Sequence, residues 1–173
     1  MHFEPLKLEG AYKISLNRHN DERGWFSRSF CKNQFLENGL NFENLQSNIS
    51  YNIRKHTIRG MHWQCSPNEE VKVIRCTKGK AFDVMVDLRP DSPTFGTWES
   101  LIISEYDNFM IYIPQGFAHG FQTLEDSTEI HYMMGSEYQP NCQRGFNWLD
   151  PEIAIKWPNN NDYIISEKDS KLP

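Results

Sequence analysis

Val71-Lys72-Val73-Ile74-Arg75-Cys76-Thr77-Lys78-Gly79-Lys80-Ala81-Phe82-Asp83-Val84-Met85-Val86-Asp87-Leu88 decides the fold class. Its two halves read as strands and meet at a Lys78-Gly79 turn. The first half alternates apolar and polar roughly. The second alternates more strictly, with one row of Phe82, Val84, Val86 and Leu88. Arg89-Pro90-Asp91-Ser92-Pro93 then supplies pure turn chemistry. Strands predicted at 97–103, 109–113, 118–124 and 128–134 follow at spacings of roughly 8–12 residues, and 46–52 and 57–64 precede them. This pattern predicts an all-β protein, a double-sheet jelly roll with short peripheral helices. An α/β fold would need helices of ~10–15 residues between strands. The intervals here are too short and too rich in Gly, Pro and Asp.

Working outward, residues 1–16 read as extended, with apolar positions at Leu6, Leu8, Tyr12, Ile14 and Leu16. A polar turn is expected over 17–24 and a strand-like run over 25–30. The one helix is short, 32–38, with Phe35 and Leu36 inward and Gly39 at the C′ position that tolerates positive φ. The tail from Pro151 is punctuated by Pro and Asn, with room for one short helical turn. With no repeat, low-complexity segment or linker, residues 1–173 read as one domain.

Net charge is -5, with no run of five or six like charges. That argues against nucleic-acid or anionic-membrane partners held by bulk charge, but leaves room for a small anion met by two or three local Arg or Lys side chains. No apolar run approaches the ~18 residues of a membrane span, and Met1-His2-Phe3-Glu4-Pro5 lacks the features of a secretory signal. Cys31, Cys65, Cys76 and Cys142 form no C-x-x-C pair, which fits reduced thiols in a cytoplasmic enzyme better than a disulfide framework or zinc site.

The chemistry concentrates in Ile58-Arg59-Gly60-Met61-His62-Trp63-Gln64, with Lys72 one strand further on. An Arg holds phosphate through paired hydrogen bonds, a His takes a proton near neutral pH, and a Lys neutralises a developing oxyanion. Together they suggest a site that binds a phosphorylated compound and moves protons on it.

Ile113-Pro114-Gln115-Gly116-Phe117-Ala118-His119-Gly120 resembles the second motif of the cupin superfamily, and Gly60-Met61-His62-Trp63-Gln64 its first. Gln64 stands where metal-binding members carry a second His. His62, Glu69 or Glu70, and His119 are the residues a metal would need, so a metal-dependent oxygenase is one rival reading. A non-catalytic sugar-binding cupin is another.

The whole chain resembles the dTDP-4-dehydrorhamnose 3,5-epimerase family. The matching strings are Asp21-Glu22-Arg23-Gly24-Trp25-Phe26, Arg59 to Gln64, Lys72 to Arg75, Phe82 to Arg89, Ser92 to Gly96, Pro114 to Phe121, Asp150-Pro151, Ile155 to Pro158 and Ile165 to Asp169. The resemblance implies an epimerase of a nucleoside-diphosphate 4-keto sugar that needs no metal or redox cofactor and feeds surface-polysaccharide synthesis. His62 would be the base, Asp169 its orienting carboxylate, Lys72 the oxyanion partner and Tyr132 the acid on the opposite face. Arg59, helped by His119, would clamp the diphosphate. Gln46, Asn48 and Tyr138 would lie against the ligand. Arg23 and Phe26 match a segment that crosses into the neighbouring subunit of a homodimer by exchange of the N-terminal strand.

The family pattern breaks where a usual Glu is Arg28. A guanidinium has only donors, whereas cytosine offers acceptors at N3 and O2. If Arg28 faces the base, a CDP-linked sugar epimerised at C3 or C5 alone becomes the alternative substrate.

Overall fold

A computed structural model describes all of residues 1–173. Eleven of its thirteen strands form two antiparallel sheets. The first, six-stranded, contains β1 (His2–Pro5), β2 (Tyr12–Ser15), β10 (Phe109–Ile113), β7 (Lys72–Lys78), β12 (Thr128–Met134) and β5 (Gln46–Asn52), in that order across the sheet. The second, five-stranded, runs β13 (Gln143–Gly145), β6 (Ile58–Gln64), β11 (Phe117–Thr123), β8 (Lys80–Asp87) and β9 (Trp98–Ser104). The double-sheet jelly roll expected from the strand spacing is therefore present, with helices confined to α1 (Lys32–Glu37), α2 (Glu167–Ser170) and one turn of 3₁₀ helix at Pro140–Cys142.

Between the sheets lies an apolar layer that includes Ile74, Met85, Ile103, Ile111, Ile113, Phe117, Phe121 and Ile130. Both outer faces are covered as well. Phe35 of α1 and Phe42 pack with Val73, Met110, Tyr112 and Met133 behind the first sheet. Trp148, Ile155 and Trp157 of the C-terminal segment pack with Met61, Val84 and Val86 behind the second. This changes the meaning of the alternation in β8. The row of Phe82, Val84 and Val86 meets the C-terminal segment, and the other row, which includes Asp83 and Asp87, is also sealed from solvent.

Several local expectations shift. Leu36 is 47% exposed, so α1 buries Phe35 alone. Its end is as expected: Gly39, at φ 76°, donates to the Leu36 carbonyl and Leu40 to that of Phe35, a Schellman closure. The polar stretch expected to be a turn instead folds into a hairpin, β3 (His19–Asp21) with β4 (Gly24–Phe26). The strand expected over 25–30 ends at Phe26 because the hairpin leaves both sheets there. No helix is long and apolar enough to cross a membrane.

Candidate active site

A cavity of about 420 Å³ opens between the two sheets, within the usual range for small-molecule sites. The five-stranded sheet contributes Arg59 and His62 from β6, and His119 and Phe121 from β11. The six-stranded sheet contributes Asn48 and Ser50 from β5, Lys72 from β7, and Tyr132 and Met134 from β12. Tyr138, Gln143, Ser166, Lys168 and Asp169 close the rim and back.

Arg59 and His62 are three residues apart and would face opposite sides of a regular strand. The β6–β11 register shifts between His119 and Phe121, which turns both side chains into the cavity. The shift depends on two glycines in contact. A Cβ on Gly60 would stand 2.6 Å from the Gly120 Cα and 2.8 Å from the His119 carbonyl oxygen.

His62 Nε2 lies 2.9 Å from the Asp169 carboxylate, whose second oxygen accepts the Gly60 N–H at 3.3 Å. Burial works to raise the Asp169 pKa. The bond to His62 and its charge, with the Gly60 N–H and the Ser166 hydroxyl, outweigh burial and hold it below the ordinary carboxylate value. The carboxylate stays ionised and fixes the ring: Nε2–H is donated to Asp169 and the Nδ1 lone pair is left free. α2 sets Asp169 in place through its cap, with the Ser166 hydroxyl accepting the Asp169 N–H at 3.0 Å.

Two further pairs line the walls. Lys72 Nζ meets the Glu70 carboxylate at 2.7 Å and donates to the His62 carbonyl at 3.3 Å. His119, opposite His62 in register, meets the fully buried Asp83 at 2.8 Å. Burial raises the Asp83 pKa, and the charges of His119 and Lys72 only partly offset it. Tyr132 stands edge-on to His119, ring centroids 6.0 Å apart. Burial, with the charge of Asp83, pushes its phenol above the ordinary value, which favours the protonated form.

Two cations have no carboxylate partner. Arg59 donates through Nε to Asn52 Oδ1 at 2.7 Å, which leaves its terminal nitrogens for the cavity. Lys168 donates to the neutral Gln143 Oε1 at 2.8 Å, an atom that also accepts the Tyr138 hydroxyl at 2.7 Å.

Of the residues expected from sequence, His62, Lys72, Tyr132, Asp169, Asn48, Arg59, His119 and Tyr138 share this cavity. Gln46 stands behind it and accepts the Tyr138 N–H at 3.1 Å. Arg23, Phe26 and Arg28 are not part of it. The β3–β4 hairpin is anchored by Trp25, stacked by Arg18 at 4.4 Å and Arg75 at 5.7 Å, and Arg75 projects from β7 away from the Lys72 side. Phe26 is 71% exposed, Arg23 pairs with Asp21 at the hairpin tip, and Arg28 borders a small groove with Met1, His19 and Gln34. Of the set weighed for a metal, His62, Glu69 or Glu70, and His119, Glu69 does not line the cavity and the others are each committed to another partner: His62 to Asp169, Glu70 to Lys72 and His119 to Asp83. No group of three His, Cys, Asp or Glu side chains is arranged to hold a metal ion. Sequence reasoning missed Asp83, Lys168, Gln143 and the pairing role of Glu70. The neighbours of Asp169 and Tyr138 in sequence were the available pointers to Lys168 and Gln143.

The sequence profile of the dTDP-4-dehydrorhamnose 3,5-epimerase family matches residues 5–173. The chain belongs to that family. Its members are carbohydrate epimerases, a class of isomerase. It is 39% identical over 173 residues to the dTDP-4-dehydrorhamnose 3,5-epimerase of Sinorhizobium fredii, covering 100% of this chain and 89% of the relative. The crystal structure of the Bacillus anthracis 3,5-epimerase, with TDP and PPi bound, superposes with a TM-score of 0.95 at 36% identity, over 99% of this chain and 98% of that one. A dTDP-4-dehydrorhamnose 3-epimerase of Streptomyces niveus is 34% identical over 170 residues, 98% of this chain and 81% of the relative. The epimerase family thus includes members named for one carbon and members named for two.

Proposed function

We propose that this protein inverts C3 and C5 of a dTDP-linked 4-keto-6-deoxyhexose, removing and returning protons beside the C4 ketone. The observation that carries this reading is the pairing of His62, on the five-stranded sheet, with Tyr132, on the facing six-stranded sheet. A hydrogen on either carbon next to a ketone is acidified because its loss leaves an enolate. His62 takes it at Nδ1, and the resulting imidazolium is stabilised by Asp169. Lys72 supplies a positive charge to the enolate oxygen. Tyr132, kept protonated by burial, delivers a proton from the opposite wall, and the stereocentre is inverted. Arg59 and Lys168, the cations without carboxylate partners, are suited to the diphosphate, with Asn48 and Tyr138 beside the nucleoside.

The test is turnover in D₂O. Deuterium at both C3 and C5 of the product is expected; label at one carbon reduces the activity to a single-site epimerase, and no label at all removes the mechanism. In Tyr132→Phe the base still exchanges hydrogen on its own face, so label enters recovered substrate while net inversion falls by about 10²-fold.

We propose further that the enzyme is a single cytoplasmic domain that works as a homodimer, with the N-terminal segment exchanged so that Arg23, Phe26 and Arg28 complete the neighbour's site. This is supported by Trp25, Phe26, Ile49 and Tyr51, large apolar side chains left exposed on the hairpin and on the edge strand β5. Sedimentation equilibrium would discard it by returning the mass of one chain.

A further inference from the structure

β13 pairs with β6 in the register Gln143↔Gln64, Arg144↔Trp63 and Gly145↔His62. Just past the end of that pair, Cys142 closes the 3₁₀ turn before β13, and Cys65 follows directly on β6. The Cys65 N–H donates to the Cys142 carbonyl at 2.9 Å, so the two backbones still run side by side there. Both cysteines are free and partly exposed. Residues facing each other through a backbone hydrogen bond of this kind lie about 5.5 Å apart at Cα. A disulfide spans about 4.4–6.8 Å. Asn68 ties the two together: its N–H returns to the Cys65 carbonyl at 3.1 Å, and its side-chain nitrogen lies 3.1 Å from Cys142 Sγ.

These thiols also sit where a crosslink would be felt by the cavity. Gln64, next to Cys65, holds the rim segment by accepting the Gln139 N–H at 2.6 Å and donating to the Glu137 carbonyl at 3.2 Å. That segment carries Tyr138, and Gln143 follows Cys142 directly; both line the cavity.

We propose that Cys65 and Cys142 form a redox modification site, converted by hydrogen peroxide into a disulfide that pins the cavity rim to β6. One thiolate attacks the peroxide oxygen and breaks the O–O bond. Its sulfur is oxidised by two electrons to a sulfenic acid, and the peroxide is reduced to water once the leaving hydroxide takes a proton. The second thiol then attacks the sulfenic sulfur. The S–S bond forms, the S–O bond breaks, and water leaves with the second thiol's proton. A dithiol reductant reverses the bridge by exchange. The pinned rim slows entry of the nucleotide beneath Tyr138, a consequence that rests on the proposed epimerase activity, whereas the bridge itself does not.

The experiment treats the intact enzyme with hydrogen peroxide, counts thiols, maps peptides by mass spectrometry and then measures kinetics. The thiol count is expected to fall from four to two, with a single crosslinked peptide pair joining Cys65 to Cys142 and lighter by two hydrogens. KM is expected to rise about fivefold with kcat little changed, and dithiothreitol to restore it. Cys65→Ser should keep normal kinetics and lose the response, whereas Cys31→Ser should respond as the parent does. Four surviving thiols, or separate oxidation of Cys65 and Cys142 without a crosslink, overturns the site. A crosslink that leaves KM unchanged keeps the site and removes its action on the rim. An enzyme inactive before treatment but still crosslinking points instead to failure of the epimerase reading.

Discussion

His62→Ala is expected to lower kcat by about 10³-fold or more while leaving affinity for dTDP within a factor of about three. The cavity holds two imidazoles, each set against a buried carboxylate, and the substitution removes the one whose other ring edge is open to the ligand space, with a side chain 30% exposed. His119 cannot replace it, because it is 5% exposed and already committed to Asp83. The groups suited to the diphosphate are untouched: Arg59 is aimed by Asn52 and Lys168 by Gln143. The Asp169 carboxylate keeps the Gly60 N–H, and its backbone stays capped by the Ser166 hydroxyl. Calorimetric titration with dTDP beside steady-state kinetics separates the two effects. Loss of nucleotide affinity in step with kcat would show that His62 binds rather than abstracts.

Gly60→Ala is expected to destabilise the fold by about 3–5 kcal/mol, lowering Tm by roughly 6–20 °C for a chain of this size. Two causes add. At φ 115° an L side chain is strained, and the new Cβ would stand 2.6 Å from the Gly120 Cα, which is backbone and cannot swing aside. Gly24→Ala isolates the first cause. Its φ is 128°, but nothing lies within 4 Å of the new Cβ, so a loss of only about 1–2 kcal/mol is expected. Equal losses in thermal denaturation of the two variants would mean that the β6–β11 contact is not what holds the register shift.

Three strands were legible to the residue, Gln46–Asn52, Phe109–Ile113 and Thr128–Met134, and those expected at 57–64, 97–103 and 118–124 lie within one residue of β6, β9 and β11. The β3–β4 hairpin was not, because Asn20-Asp21-Glu22-Arg23 has the composition of a turn and carries no apolar row. Trp25 holds it through cation–π stacking with arginines far along the chain. The same limit hid Asp83. In a strand buried on one side, an aspartate between Phe82 and Val84 would face water. Trp148, Ile155 and Trp157 seal the other side of the sheet, so Asp83 is turned into the interior, where only His119 accounts for it. Position in a known family pattern pointed to Tyr132, His62 and Arg59, which the fold brings to one cavity. It could not report that Lys72 is ion-paired with Glu70 or that Arg59 and Lys168 have no carboxylate partner, since pairing is a property of three dimensions.

Almost every wall of the cavity is built from chain segments distant in sequence, with β6 beside β11 and β7 beside β12. Loop-closure entropy opposes such contacts until most of the chain is already ordered, so topologies of this kind fold slowly and close late. The two sheets share one interior, and the cavity is part of it. A partly folded chain therefore offers no fraction of a binding site, and local fraying at the termini of β1 or α1 leaves it whole. The capacity to recognise a nucleotide sugar arrives with the last cooperative step of folding, as a single event.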